Sequence, residues 1–194
     1  EGQHLVVTPA ITKGGWEDNE REIAARANFT IKDVEYDGGL LSKKLPLCTR
    51  MYIMSDWGTG KLDEVFRGSI WQLKPSNKGE IQIMSYDELY YLQKSSESRY
   101  FAKNTKSQTM ITKICADWSI PLADPYTGPN IKHKKKAYKS KPIATEITDI
   151  LQDATDEDAG EYVPLMHKGK LHIVKCGSNE TIYHLTDHNA ESTD

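Results

Sequence analysis

Two helix-start signals lie close together in the middle of the chain and constrain the fold more than any other feature. Ser85 is followed three residues later by Glu88, and Thr105 is followed by Gln108. This is the spacing of a capping box. In that motif the serine or threonine side chain accepts a hydrogen bond from the backbone amide three residues later, and the glutamate or glutamine side chain accepts one from the backbone amide of the serine or threonine. The first signal predicts a short helix that begins directly after a strand at residues 81–84.

The second signal opens a longer helix with a single apolar face. Its apolar residues recur at helical spacing and are Met110, Ile111, Ile114, Cys115 and Trp118. Pro121 blocks continuation, because the residue before a proline is pushed toward an extended conformation. We interpret this stripe, including its cysteine, as part of a hydrophobic core.

Short strands separated by turn residues dominate the first half of the chain. Apolar and polar residues alternate over residues 27–31, as expected of a strand with one buried face. Further strands are predicted at residues 47–53, 65–71 and 81–84. Five or six short strands at this spacing favour a small antiparallel β-barrel or sandwich.

The second half mixes helix and strand. An amphipathic helix is predicted after Pro142, which suits the first helical position. A β-hairpin is predicted at residues 161–166 and 170–176, and a last strand at residues 181–185.

The predicted class is α+β: a small antiparallel β-barrel followed by a mixed α/β domain. The barrel domain spans residues 1–88, and the α/β domain, with two helices and a β-hairpin, spans residues 89–194. The residues predicted to pack in the core are Trp16, Phe29, Phe66, Ile70, Tyr86, Leu89, Ile111, Ile114 and Trp118.

Composition excludes several classes of protein. The 194 residues carry a net charge of −3, so the chain has no global attraction to nucleic acid or to anionic membranes. The apolar runs fall short of the roughly 20 residues that cross a bilayer. Cys48, Cys115 and Cys176 are odd in number and widely spaced, which predicts small buried hydrophobic residues in a reducing cytoplasm.

The sequence of residues 58–61, Gly-Thr-Gly-Lys, resembles a phosphate-binding loop only superficially. A Walker motif needs glycine where Ser55 stands and serine or threonine where Leu62 stands. We interpret the segment as a hairpin turn. Nothing else in the sequence predicts a cofactor.

Histidines and acids offer weak candidates for chemistry. His184 and His188 are four apart, which on a helix would make a pair of metal ligands, but their segment resembles a strand end and a tail. His167 and His172 flank the predicted hairpin turn, and surface positions are favoured for all four histidines. The acids Asp153, Asp156, Glu157 and Asp158 are interpreted as a solvated helix end rather than a catalytic pair. We therefore predict no catalytic, cofactor-binding or metal-binding residues.

One dense basic segment is the candidate interface. Its lysines are Lys132, Lys134, Lys135, Lys136, Lys139 and Lys141. Tyr138 is its one aromatic residue, whereas single-stranded nucleic acids need aromatic platforms among the cations. A solvated loop is the first interpretation, nucleic-acid binding a second, and docking against the acidic cluster of this subunit or a neighbour a third.

Several longer segments together resemble a known family. They are YDELYYLQKS, RYFAKNTKSQTMITKICADWSIP, ITDILQDA and EYVPLMHKGKLHIVKCG, with GGWEDNEREIAARANFTI and DEVFRGSIWQLKPSNKGEIQIMSYD upstream. The chain resembles the XkdQ/YqbQ-like proteins of phage tails and phage-derived bacteriocin tails over most of residues 5–185. These proteins are similar to late-control protein D and other baseplate hub proteins.

The resemblance implies a non-enzymatic baseplate hub that links the tail tube to the spike. It implies a homotrimer in the assembled tail, with tube, spike and baseplate proteins as partners and neither membrane nor nucleic acid. The location implied is a virion or phage-like tail particle assembled in the bacterial cytoplasm. Family members usually continue into a second barrel. Two alternatives are a tail-associated peptidoglycan hydrolase and a small nucleic-acid-binding barrel.

Overall fold

A computed structural model describes residues 5–18, 22–56 and 60–178. The strands are β1 (Ile11–Glu17), β2 (Arg26–Lys32), β3 (Glu35–Tyr36), β4 (Gly39–Leu40), β5 (Arg50–Ser55), β6 (Asp63–Pro75), β7 (Glu80–Tyr86), β8 (Ser96–Phe101), β9 (Lys136–Pro142), β10 (Tyr162–His167) and β11 (Lys170–Lys175). The helices are α1 (Leu41–Lys44), α2 (Leu89–Lys94), α3 (Ser107–Asp117) and α4 (Ile143–Asp156). A short 3₁₀ turn, Thr8–Ala10, precedes β1.

The first half forms a five-stranded antiparallel sheet in the order β1-β2-β7-β6-β5. The α+β class is therefore as predicted. A closed barrel is not present in the described ranges, because the strand order is linear and leaves β1 and β5 as opposite edges. Ribbons β3-β4, β8-β9 and β10-β11 complete the strand pairings.

Strand β6 bends the sheet. Its pairing with β5 shifts register between Phe66 and Glu64, and its pairing with β7 shifts register between Ile70 and Gln72. Such bulges increase the local twist of a strand. Between them, a Cβ atom added at Gly68 would lie 2.4 Å from the carbonyl oxygen of Tyr86. The close approach of two backbones at this bend requires glycine.

Two hydrophobic clusters stabilise the fold. One lies on a face of the sheet, where α1 and the 3₁₀ turn cover Ile31, Ile70 and Ile81. The other is formed by α2, α3 and α4 with the β8-β9 and β10-β11 ribbons. The domain boundary after residue 88 stays a prediction.

Most of the predicted core residues are buried, with one clear exception. Phe66, Ile70, Leu89, Ile111 and Ile114 are buried, and Phe29, Tyr86 and Trp118 are partly buried. The prediction for Trp16 is wrong, since 43% of this residue is exposed. It lies on edge strand β1, most of which is solvent-accessible.

The predicted helices form, but neither predicted capping box does. Ser85 is fully buried within β7, because that strand continues to Tyr86. Asp87 instead accepts a hydrogen bond from the Leu89 amide (2.9 Å) at the start of α2. The Thr105 hydroxyl donates to a carbonyl oxygen upstream of α3 rather than capping that helix.

The cysteine prediction is correct at one position of three. Cys115 is buried on α3, whereas Cys48 and Cys176 are exposed. The predicted hairpin is confirmed as β10-β11, with Lys168 and Gly169 at positive φ in its turn. The strand predicted at residues 181–185 lies outside the described residues. Among the helices described, none combines the length and apolar character needed to cross a membrane.

Candidate functional site

The basic segment lies beside the start of α3. Lys132 forms an isolated antiparallel bridge with Lys106. The next residue, His133, donates its amide to the Thr105 carbonyl oxygen (3.0 Å) and accepts the Asn104 amide at its own carbonyl oxygen (2.8 Å). The segment is therefore fixed by backbone hydrogen bonds and is not a free loop.

The structure divides the six predicted interface lysines into two groups. Lys136 pairs with Asp153 (2.8 Å) and Lys141 with Asp149 (3.5 Å), so these two cations hold β9 against α4. The other four have no ion-pair partner among the described residues and are exposed; they are Lys132, Lys134, Lys135 and Lys139.

The acidic cluster divides in the same way. Asp153 pairs with Lys136 of the basic segment, as predicted by the interpretation in which that segment docks against the acidic cluster of the same subunit. Asp156, Glu157 and Asp158 are exposed at the end of α4. Sequence reasoning identified both charged groups but could not determine which members pair.

A buried hydrogen-bonded chain lies beneath the lysines. Ser107 Oγ is 2.7 Å from His133 Nε2, and His133 Nδ1 is 2.7 Å from Asp153 Oδ2. The arrangement matches the connectivity of a serine hydrolase triad. However, Ser107 is fully buried and His133 is 2% exposed, so no substrate can reach the hydroxyl in this state. We interpret the three residues as a structural clamp, called the serine–histidine–aspartate clamp below.

The clamp has a fixed charge at one end. Burial alone would raise the pKa of Asp153, but hydrogen bonds from Lys136 and His133 outweigh burial and lower the pKa below its usual value. Asp153 therefore stays ionised at neutral pH and accepts hydrogen bonds from both. No sequence motif signalled this clamp, since its members are 26 and 20 residues apart.

A second network anchors the β8-β9 ribbon. The Arg99 side chain is 4% exposed and pairs with Glu97 (2.7 Å), Glu146 (3.0 Å) and Asp117. Burial raises the pKa of Glu146, although the Arg99 charge opposes this rise. Glu146 Oε1 is buried and has no hydrogen-bond partner among the described residues. Removing Arg99 would leave a buried carboxyl without its cation, which typically costs about 3–5 kcal/mol.

The open sheet offers a second candidate surface. A groove of about 480 Å³ lies along β1, β2, β7 and β6. Two cross-strand rows of residues line it, and most of their side chains are polar. They are Lys13, Thr30, Gln82 and Lys74 in one row, and Gly15, Asn28, Met84 and Gln72 in the other. The groove lies on the face of the sheet opposite to the cluster of Ile31, Ile70 and Ile81.

The weaker candidates for chemistry gain no support from the geometry. Burial raises the pKa of Cys115 to about 11, which keeps its thiol protonated and unreactive. His172 lies on β11 next to His167, and burial lowers its pKa. Within the described ranges no three metal-ligating side chains lie together, and His184 and His188 lie outside those ranges.

The segment that resembles a phosphate loop connects two strands. Gly60 and Lys61 follow β5, and β6 begins at Asp63. A phosphate-binding loop opens a helix, whereas this one opens a strand. The predicted hairpin connection is confirmed, and residues 57–59 within it lie outside the described part.

A solved structure shares the fold of this chain. The chain is similar to the structure of E. coli c3393, a component of the type VI secretion system that shows structural similarity to the T4 bacteriophage tail proteins gp27 and gp5. The TM-score is 0.51 at 10% sequence identity, over 77% of this chain and 41% of that chain. This chain thus spans less than half the length of that protein.

The sequence comparison identifies the family. The model of the YqbQ-like family matches residues 51–193, which is more than half of the chain, so the chain belongs to the YqbQ-like family. No curated protein sequence matches it.

Proposed function

We propose that this chain is a structural, non-enzymatic component of a phage or phage-derived tail. More specifically, it is part of the baseplate hub that joins the tail tube to the spike. The observation that carries the proposal is the likeness of its fold to c3393, a secretion-system component compared with two phage tail proteins. Membership in the YqbQ-like family supports the same role. Tube, spike and baseplate proteins would be its partners in the tail particle.

The two open edges of the sheet support a role in assembly. Unpaired edge strands tend to bind another strand unless they are covered. In a five-stranded antiparallel sheet the first and last strands run in the same direction, so β1 and β5 are parallel to each other. A head-to-tail ring of subunits around an axis along the strands would therefore join them as a parallel pair.

This ring would complete the barrel between subunits. β5 carries exposed Tyr52 and Met54, and β1 carries exposed Trp16, so both edges offer apolar side chains to a neighbour. A trimer of this kind is our proposal for the assembled state. It also gives a reason why the isolated chain has a curled but unclosed sheet.

Immunogold electron microscopy of purified tails tests the proposed location. Antibodies raised against this chain should label one end of each particle, at the junction of tube and spike. Antibodies against the tube protein serve as the control and should label the whole length. Label absent from intact particles, or spread along the tube, would contradict the hub assignment.

The non-enzymatic part has a separate test. The purified chain should leave peptidoglycan intact in a zymogram, because the hydroxyl of Ser107 is sealed beneath the basic segment. Clearing that disappears in a Ser107→Ala variant would show instead that the clamp opens and acts as a catalytic triad.

A further inference from the structure

Two more lysines join the basic segment at the start of α3. The bridge between Lys106 and Lys132 places two segments of the chain side by side. The lysines of these segments are exposed and have no ion-pair partner among the described residues. They are Lys103, Lys106, Lys132, Lys134 and Lys135, and together they are called the lysine surface. In the sequence, the two lysines near residue 105 lie more than twenty residues before the other three.

The arrangement is electrostatically unfavourable for the isolated protein. Lys106 and Lys132 lie directly opposite each other, and like charges in that relation are destabilising. Lys106 also occupies the N-cap of α3, where the helix dipole is positive and Asp or Ser is preferred. Charges maintained against such a cost suit a surface that is neutralised by a partner.

The lysine surface is held rigid from below. Backbone hydrogen bonds join Asn104 and Thr105 to His133, and the serine–histidine–aspartate clamp fixes His133 to α3 and α4. A rigid surface loses little conformational entropy on binding. The backbone that carries these lysines is therefore in place before a partner arrives.

The aromatic residues favour a protein over a nucleic acid. Tyr138 is 6% exposed, and its hydroxyl donates to the Glu146 carbonyl oxygen (3.4 Å), so no base can stack on it. Tyr100 is 60% exposed on the outer side of the β8-β9 ribbon. Its cross-strand partner is Ala137, two residues after Lys135. Tyrosine is enriched in protein interfaces, whereas single-stranded nucleic acids need several aromatic platforms.

We propose that the lysine surface docks an acidic polypeptide surface of another protein in the assembly. The proposal rests on the proposed function only in taking that partner to be a tail protein. Its carboxylates would approach Lys106, Lys132 and Lys134, and its rim would contact Tyr100. Lys136 and Lys141 are excluded, because α4 already pairs with them.

Binding to a fluorescent ten-residue glutamate peptide tests the proposal by anisotropy. The purified chain should bind the peptide at about 50 mM salt and lose the binding steeply by about 300 mM. Lys134→Glu with Lys135→Glu should weaken binding by roughly tenfold or more. The matched control, Lys43→Glu with Lys78→Glu, makes the same change of net charge at two exposed lysines on α1 and in the β6-β7 turn, and it should have little effect.

Three results would overturn the proposal. They are absence of peptide binding at low salt, equal loss in the two double variants, and tighter binding to an oligothymidylate of matched charge. The last would identify the surface as a nucleic-acid site. Because the assay uses purified protein, its failure leaves the tail assignment standing, and failure to find the chain in tails leaves the assay result unchanged.

Lys106→Asp separates a binding role from a structural one. Aspartate at the N-cap should raise the Tm of the isolated protein by about 2–4 °C. The same change should weaken glutamate-peptide binding severalfold, because it reverses a charge in the lysine surface. A variant that is more stable and binds equally well would show that Lys106 lies outside the docking surface.

Discussion

Asp87 links the sheet to the helices through a single carboxylate. It is 4% exposed and accepts hydrogen bonds from the amides of Ala25 (3.0 Å) and Leu89 (2.9 Å). Its own amide donates to the Ala25 carbonyl oxygen (3.1 Å). The residue thus holds together the start of β2 and the start of α2.

Burial raises the pKa of Asp87 to about 7, although hydrogen bonds from the Ala25 and Leu89 amides oppose the rise. The unfolded value is near 3.8. Between these values the folded state holds a proton that the unfolded state has lost. The contribution of Asp87 to the free energy of unfolding should therefore fall as the pH rises from about 4 to about 7, and stay constant above.

Asp87→Asn should remove this slope, because an amide does not titrate. Urea unfolding at several pH values across that window measures the effect as the difference between wild type and variant. Asp63→Asn is the control: a hydrogen bond from Lys168 lowers the pKa of Asp63, so the contribution of Asp63 changes only below about pH 4. This variant should keep the wild-type slope between about pH 4 and about pH 7. Parallel profiles for wild type and Asp87→Asn would show that Asp87 has an ordinary pKa.

At the level of elements, β6 depends on one glycine. Gly68→Ala should destabilise the protein by about 1–3 kcal/mol, because its Cβ would collide with the Tyr86 backbone across the bend. Gly15→Ala is a matched control on β1, where a Cβ meets no atom within 4 Å. Chemical denaturation measures both, and the control should change stability by less than about 0.5 kcal/mol. Equal effects would mean that the bend tolerates a side chain.

Periodicity predicted the elements that bury a regular face. The apolar stripes of α3 and α4 and the alternation in β2 all correspond to core positions. Strand β1 escaped prediction because it is an exposed edge with no burial pattern. Strand β9 escaped because its lysines resemble a loop, and it is strand only through pairing with β8.

The candidate site was predictable only in part. Its lysines are evident in the sequence as a dense basic segment. Which of them form ion pairs depends on aspartates of α4, and the sequence alone does not show these contacts. Ser107, His133 and Asp153 meet through tertiary packing alone. The capping signal at Ser85 failed for a related reason, since pairing of β7 with β2 and β6 overrides the local preference for a helix start.

On the scale of the whole molecule, the proposed ring predicts self-association through the sheet edges. Multi-angle light scattering at rising concentration should show a mass above that of the monomer. Tyr52→Lys with Met54→Lys should abolish it, because lysines on an edge strand block pairing. Tyr91→Lys, an exposed tyrosine on α2, is the control and should associate normally. Monomer at every concentration would exclude assembly by this chain alone.

The tip of the β10-β11 hairpin has a mechanical consequence. Lys168 pairs with Asp63 on β6 (2.7 Å), and Gly169 lies so close to Arg67 that a Cβ there would be 2.6 Å from its guanidinium. The chain segment at Asp87 connects sheet and helices, and Trp71 on β6 packs against Tyr90 and Tyr91 of α2 beside it. Contacts confined to this one place would leave the two layers free to rotate about it. The ion pair at the hairpin tip is a second attachment, far away in the sequence, which restricts that rotation. Torque applied to the sheet should therefore pass into the helical layer instead of being dissipated at the joint.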